Sequence, residues 1–315
     1  MNAPTATPAS RWAGPLCAVV GELGFSFKAI LIKLAYKLHP VDAVTLLTLR
    51  MLYSAPFFCA MAWWVSRREG ITPLPRADWL RLIWLGFIGY YLASLFDFMG
   101  LFYITAALER LVLFLYPTVV VLLSALLLRQ RITRRTVAAL LLSYAGIALV
   151  VAHDLTVTGD MAATLIGSGL VFASGVLYAL YLVQAGAIIT RLGSLRFISW
   201  AMLASTVFIF AQFVLTRPWS ALDVPPSVHM VSLAMAVFST VLPTWLIAES
   251  IRRMGANAAS LVGALGPVFT IGFGAMILGE PVHAVQLAGA ALVLTGVLLV
   301  TIKARPLPPI AKLDG

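Results

Sequence analysis

Residues 106–151, AALERLVLFLYPTVVVLLSALLLRQRITRRTVAALLLSYAGIALVV, recur 150 positions later as residues 256–301, ANAASLVGALGPVFTIGFGAMILGEPVHAVQLAGAALVLTGVLLVT. Without a gap, 12 of the 46 positions are identical: Ala106, Leu111, Val112, Leu115, Pro117, Ala125, Leu128, Ala138, Leu142, Gly146, Leu149 and Val150. Apolar segments match by chance often, so most of these identities weigh little singly. Pro117/Pro267 and Gly146/Gly296 weigh more, because each fixes or frees the backbone at the same depth of an apolar run. The chain therefore reads as two homologous halves.

Composition sets the environment. Of 315 residues, 61% are hydrophobic and 11% charged, against about 45–50% and about 25% in soluble domains. This is a polytopic membrane protein, with the lipid bilayer as its first partner. The net charge of +10 sits in short clusters between apolar runs, a pattern of membrane orientation and not of nucleic-acid binding. Cys17 and Cys59 fall inside apolar runs and indicate no disulfide framework. The segment after Arg11 contains Glu22 and Lys28, unlike a cleavable signal peptide, so the first run is expected to stay in the mature protein.

A spanning helix needs about 20 mainly apolar residues. Ten such runs are predicted, at 12–36, 43–65, 79–103, 106–128, 134–152, 164–189, 196–215, 230–251, 256–278 and 283–302. The longest polar gaps, Ser66–Asp78 and Thr216–Val228, are too short to hold a soluble domain, and Ala304–Gly315 reads as a Pro-rich, basic, disordered tail.

With the N-terminus in the cytoplasm, 16 of the 22 Lys and Arg residues fall on the cytoplasmic side. They are Arg11, Arg67, Arg68, Arg76, Arg81, Arg129, Arg131, Arg134, Arg135, Arg191, Arg196, Arg252, Arg253, Lys303, Arg305 and Lys312. Lys37, Arg110 and Arg217 are assigned to the outer side, and Lys28, Lys33 and Arg50 lie within helices. This bias predicts both termini inside. Five helices per half then send the second half into the membrane from the opposite side. The expected fold class is an all-α membrane protein of ten transmembrane helices, arranged as two inverted five-helix repeats. Such an architecture places a solute cavity near the midplane between the halves.

The run Ala258-Ala259-Ser260-Leu261…Leu265-Gly266-Pro267…Leu278-Gly279-Glu280, followed by a Gly-containing last helix, resembles the signature of the drug/metabolite transporter superfamily, EamA type. The resemblance covers two EamA-like modules, 14–151 and 165–302, between cytoplasmic tails 1–13 and 303–315. It implies a ten-helix secondary transporter of the inner membrane, an exporter of amino acids or other small metabolites driven by gradients. Consistently, the chain has no Gly-x-x-x-x-Gly-Lys-Ser/Thr loop to cradle nucleotide phosphates. Where Gly279-Glu280 would map in the first half, Arg129-Gln130 stands instead.

Ionisable groups within a bilayer need a partner or a task. Glu22 sits mid-span with Ser26 and Lys33 on its face, while Lys28 points about 120° away. Arg50 shares a stripe with Tyr53, Ser54 and Phe57; Tyr90, Ser94 and Asp97 form another; Glu109 and Tyr116 are seven apart. Two readings stand open. Lys28, Arg50, Asp97 and Glu109, all in the outer half, either pin four helices together as a charge network or face a cavity and meet a charged solute. Mixed signs suit a zwitterion such as an amino acid. Glu22 is the first candidate for contact with solute or proton, against a salt bridge to Lys33 or Lys28.

The second half offers Tyr178, Tyr181 and Gln184 on one run and Trp245, after Pro243, on another; Glu249 reads as a helix-end charge near Arg252 and Arg253. The candidate solute-binding set is thus Glu22, Lys28, Arg50, Tyr90, Asp97, Tyr116, Tyr178, Tyr181 and Trp245, with Pro117 and Pro267 as candidate hinges. Gly263, Gly266, Gly272, Gly274, Ala275, Gly289 and Gly296 suit close helix packing or pairing of two copies as a homodimer. His39, His153, His229 and His283 lie far apart in sequence, and no metal-ligand, paired-Cys or Gly-x-Ser-x-Gly constellation occurs. No catalytic centre, metal or cofactor is predicted. The rival readings are a channel or membrane scaffold, and an enzyme acting on lipid-linked substrates.

Overall fold

The structure is a computed structural model that describes residues 8–69, 75–127, 132–158, 160–254, 262–263 and 265–301. Among these residues every regular element is a helix. Apolar runs in lipid leave the backbone no water to bond, so each segment satisfies its own N–H and C=O groups. The first half runs α1 (Pro8–Leu38), α2 (Ala43–Glu69), α3 (Arg76–Gly86), α4 (Ala93–Tyr103), α5 (Ala106–Leu113), α6 (Tyr116–Leu127) and α7 (Arg134–Thr158). The second runs α8 (Met161–Leu192), α9 (Ser194–Thr216), α10 (Pro226–Ala236), α11 (Leu242–Met254), α12 (Gly266–Phe273) and α13 (Ala284–Thr301). A π turn at Phe87–Leu92 joins α3 to α4, another at Val237–Val241 joins α10 to α11, and a third at Gly274–Leu278 extends α12.

Among the described residues, eight helices are long and apolar enough to cross a membrane, and Gly266–Leu278 and Ala284–Leu299 are shorter apolar helices. The tail Ala304–Gly315, the Arg129-Gln130 pair and the Ala258–Leu261 part of the signature lie outside the described residues.

Helix ends recur at the spacing of the sequence repeat. Arg76 and Pro226 open α3 and α10, Gly86 and Ala236 close them, Tyr116 and Gly266 open α6 and α12, and Arg134 and Ala284 open α7 and α13, each pair 150 positions apart. The run 106–128, expected to be one helix, is interrupted at Phe114–Leu115, where Leu115 N–H donates to the Val112 carbonyl at 3.1 Å. The same turn recurs at Leu265 N–H to the Val262 carbonyl, 2.9 Å. Pro117 and Pro267 each follow as the second residue of the next helix, where a missing N–H breaks no intrahelical bond. Both prolines open a helix after a break instead of kinking one from within.

Polar caps set other boundaries. Thr105 Oγ1 accepts from Leu108 N–H (3.2 Å) at the start of α5, and Asp160 Oδ1 accepts from Ala163 N–H (2.9 Å) at the start of α8. Gly279, at φ +68°, ends the Gly274–Leu278 turn in the left-handed region that favours glycine.

Packing links the halves. A buried cluster including Ile30, Leu46, Met51, Phe98, Phe213 and Met235 joins α1, α2 and α4 to α9 and α10. Along α7 and α13 the backbones nearly touch. A Cβ on Gly146 would lie 2.7 Å from the Gly289 carbonyl and 3.0 Å from Val293, and one on Gly296 would meet the Ala139 carbonyl at 2.6 Å and the Ser143 hydroxyl. Positions 139, 143 and 146 of the first half are the repeat equivalents of 289, 293 and 296. The contact is therefore symmetric: what Gly146 meets in the second half, Gly296 meets in the first. These glycines, read as surfaces for packing or for pairing of two copies, are occupied within the chain.

Candidate functional site

The site starts on α1. Ser26 Oγ donates to the Gly266 carbonyl (3.2 Å), and Thr270 Oγ1 donates to the Ser26 carbonyl (3.3 Å), which pins α1 against α12. One turn earlier on the same face, the Glu22 carboxylate is ion-paired with the Arg110 guanidinium of α5, both nearly buried. A Cβ on Gly266 would collide with both side chains, so only glycine leaves the pair its room.

This pairing corrects two expectations. Arg110, assigned to the outer side by charge counting, is an interior residue. Glu22 pairs with neither Lys33 nor Lys28. Lys33 lies eleven residues away, roughly 16 Å along the helix, and donates to the Ile104 carbonyl at 2.9 Å. Lys28 points off the Glu22 face and contacts Asp97 on α4 at 2.6 Å, with Glu109 of α5 at 3.9 Å.

In the charge-network reading Asp97 or Glu109 could pair with Arg50 or with Lys28. Arg50 is buried, sends one guanidinium nitrogen to Ser94 Oγ at 3.3 Å, and lies over the Phe98 ring at 5.1 Å. Among the described residues no carboxylate falls within ion-pair distance of it. Lys28, nearer to Asp97 and Glu109, takes both.

The tyrosines form the adjoining wall. The Tyr90 and Tyr181 hydroxyls are hydrogen-bonded at 2.9 Å. Tyr178 stacks on Tyr181 with ring centroids 5.6 Å apart, and Tyr116 meets Tyr178 edge-on at 5.2 Å. Tyr90 lies within the π turn Phe87–Leu92, and a Cβ on neighbouring Gly89 would come to 2.5 Å from the Tyr181 ring. Tyr116 opens α6, directly after the break that ends the helix carrying Glu109 and Arg110. Eight candidates (Glu22, Lys28, Arg50, Tyr90, Asp97, Tyr116, Tyr178 and Tyr181) thus fall in one connected region of α1, α2, α4, α5, α6, α8 and the Phe87–Leu92 turn.

Trp245 stands apart. It is half exposed and lines an open apolar depression with Ala60, Met61, Trp64 and Leu195. The Gly24 backbone presses against Pro243, just after the π turn at Val237–Val241, which ties α1 to α11. Glu249 pairs with Arg253 at 2.6 Å, as its helix-end position suggested.

At the end of the bundle marked by Leu38, polar links cross between the halves. Lys37 Nζ donates to the Leu278 carbonyl (2.6 Å), Ala106 N–H donates to Glu280 Oε1 (3.1 Å), and Arg217 pairs with Asp42 at 3.1 Å. The Gly279-Glu280 signature pair thereby serves the first half: Gly279 turns the chain and Glu280 caps α5. Burial pushes the Asp42 carboxyl up, but hydrogen bonds from Thr45 and Arg217 outweigh it and hold the group below the usual carboxylate range. His153 and His283, distant in sequence, meet here edge-on at 4.7 Å. At the opposite end Arg191 pairs with Asp78 at 2.5 Å.

Among the described residues no group of three or more His, Cys, Asp or Glu side chains is placed to hold a metal ion. What the region offers is buried charge of both signs and polarisable ring faces. Arg110 is the residue that sequence reasoning missed; an Arg directly after an acid, four residues into an apolar run, was the available signal.

Similarity to known proteins bears on the family and the fold. The sequence model of the EamA-like transporter family matches twice, over residues 12–152 and 165–302. An uncharacterized transporter of Bacillus subtilis, YcbK, is 29% identical over 288 residues, covering 88% of this chain and 89% of that protein. Another from the same organism, YyaM, is 27% identical over 224 residues, 71% of this chain and 73% of its own. An uncharacterized transporter of Archaeoglobus fulgidus is 23% identical over 290 residues, 91% and 98% respectively. A solved crystal structure superposes with a TM-score of 0.62 at 20% identity, over 92% of this chain and 96% of that one, which bears on the fold alone. The chain belongs to the EamA-like transporter family and is a multi-pass membrane protein.

Proposed function

We propose that the chain is a secondary active exporter of small organic solutes, amino acids first among them, working by alternating access between two inverted five-helix repeats. The observation that carries the reading is a set of buried ion pairs, Glu22–Arg110 and Lys28–Asp97, together with a tyrosine wall drawn from both halves, Tyr90, Tyr116, Tyr178 and Tyr181. Its mixed signs suit a zwitterion, whose carboxylate needs a cation and whose amine needs an anion.

The symmetric α7–α13 contact supports the inverted arrangement. Residue i meeting j′ while j meets i′ is the signature of a two-fold axis, and higher numbers on one helix meet lower numbers on the other, as antiparallel helices do. The distribution of Lys and Arg supports an inner-membrane protein with both termini in the cytoplasm. Pro117 and Pro267, opening helices at equivalent breaks, suit the role of hinges.

The test is flux through the purified protein in liposomes, with radiolabelled amino acids and common metabolites, with and without a pH gradient. Saturable, gradient-driven movement is expected. Flux that never saturates would instead support a channel, and turnover of a lipid-linked substrate in detergent would support an enzyme.

A further inference from the structure

Glu109 is fully buried, and neither of its carboxyl oxygens receives a hydrogen bond. Its neighbour Asp97, equally buried, leaves Oδ1 without a donor. Two carboxyl groups thus face one ammonium, Lys28, which sits at 2.6 Å from Asp97 and 3.9 Å from Glu109. The other nearby cations are committed elsewhere: Arg110 to Glu22, and Arg50 to Ser94 and the Phe98 ring. Of the helices packed on α5, α12 and α13 carry no charged residue within their bounds, and α8 carries only Arg191, at its far end. Asp154 and Glu280 lie at the N-terminal turn of α5, against Thr105 and Ala106, and add no positive charge. A carboxylate held in a dry interior without a donor is costly, and a proton relieves it.

We propose that the Asp97–Glu109 pair, with Lys28 between them, is the proton-coupling site of this transporter. One proton binds a Glu109 oxygen and is shared with Asp97 Oδ1. It is taken up from water when the site opens to one side and returned to water when the site opens to the other, as solute moves the opposite way. Glu22, first in line from the sequence, is held by Arg110 and serves as structure. The coupling rests on the transport reading; the proton-binding pair rests on geometry.

Two measurements on the full-length protein separate these. In lipid, pH-titrated infrared difference spectra of wild type and Glu22→Gln are expected to show a carboxylic-acid carbonyl band that appears reversibly on acidification and is missing from Glu109→Gln. The same band in Glu109→Gln, or its loss in Glu22→Gln alone, overturns the assignment. In liposomes, Glu109→Gln is expected to keep exchange of labelled for unlabelled amino acid while pH-driven accumulation falls at least about tenfold. Glu109→Asp, which keeps an exchangeable proton, is expected to restore it. Accumulation driven by a sodium gradient instead of a pH gradient, or undiminished pH drive in Glu109→Gln, overturns the proposal. If Glu109→Gln does not fold, by thermal melting, Glu109→Asp takes its place in the infrared assay, where the acid band is expected to move in frequency, and an unmoved band overturns the assignment. Absence of amino-acid exchange in wild type refutes amino acids as the solute, and the infrared result still decides the site.

Discussion

The Glu22 carboxylate and the Arg110 guanidinium meet where α1, α5 and α12 cross, and the Gly266 backbone closes against both. Removing one member of a buried ion pair strands the other, at about 3–5 kcal/mol. Glu22→Gln and Arg110→Gln are each expected to lower the melting temperature in detergent strongly, and the double variant to lose clearly less than the two losses together. Strict additivity would mean that the two groups act independently.

The α7–α13 contact predicts matched sensitivities. Gly146→Ala and Gly296→Ala each push a Cβ into an opposing backbone carbonyl, at 2.7 and 2.6 Å, and should each destabilise by about 1–3 kcal/mol. Gly169→Ala, with nothing within 4 Å of its Cβ, is the neutral control. Thermal melts of the three variants check this, and a tolerated Gly146→Ala beside a damaging Gly296→Ala would break the symmetry.

Tyr90 and Tyr181 share one hydroxyl–hydroxyl bond at 2.9 Å. Tyr90→Phe and Tyr181→Phe remove the same interaction, so each should cost about 1 kcal/mol, and the double variant no more than about that again. KM for the transported solute should rise in all three. An unchanged KM would confine these rings to packing.

Asp42, in the α1–α2 connection, has its carboxyl held below the usual carboxylate range. Such a group contributes stability that is present above its unfolded pKa and is lost as pH falls through its folded pKa. The Asp42–Arg217 link between the halves should therefore weaken on the acid side. Both side chains are more than a third exposed, 39% and 36%, so screening limits its worth to about 1 kcal/mol or less. Asp42→Asn should melt slightly lower than wild type at neutral pH, with the gap closing at low pH. A gap that widens with acid would contradict the assignment.

Much of the fold was legible because lipid demands it. Apolar length marked the helices, and Pro117/Pro267 and Gly146/Gly296 marked the repeat because backbone-setting residues keep their register. The candidate side chains were legible as ionisable or aromatic residues on helix faces, and eight of them do come together. Their partners were not. Whether Glu22 meets Lys28, Lys33 or Arg110 depends on where α5 crosses α1, which no single-helix periodicity contains. Arg110 was misplaced because its main chain lies near the end of a span while its long side chain reaches inward. The break at Phe114–Leu115 escaped notice because the apolar pattern runs through it unbroken.

The π turns at Phe87–Leu92 and Val237–Val241 start 150 positions apart, each wound one residue wider per turn than an α-helix. They keep the two halves in register. A residue added there in one copy alone would rotate everything beyond it by about 100° and turn the stripe of Tyr90, Ser94 and Asp97, or its counterpart, away from its neighbours. Matched turns leave the 150-position offset of the helix ends intact through both halves. The turn at Gly274–Leu278 has only regular helix opposite it, over residues 124–127. Since Arg134 and Ala284, which open the next helices, are still 150 positions apart, the wider winding there is absorbed without an added residue.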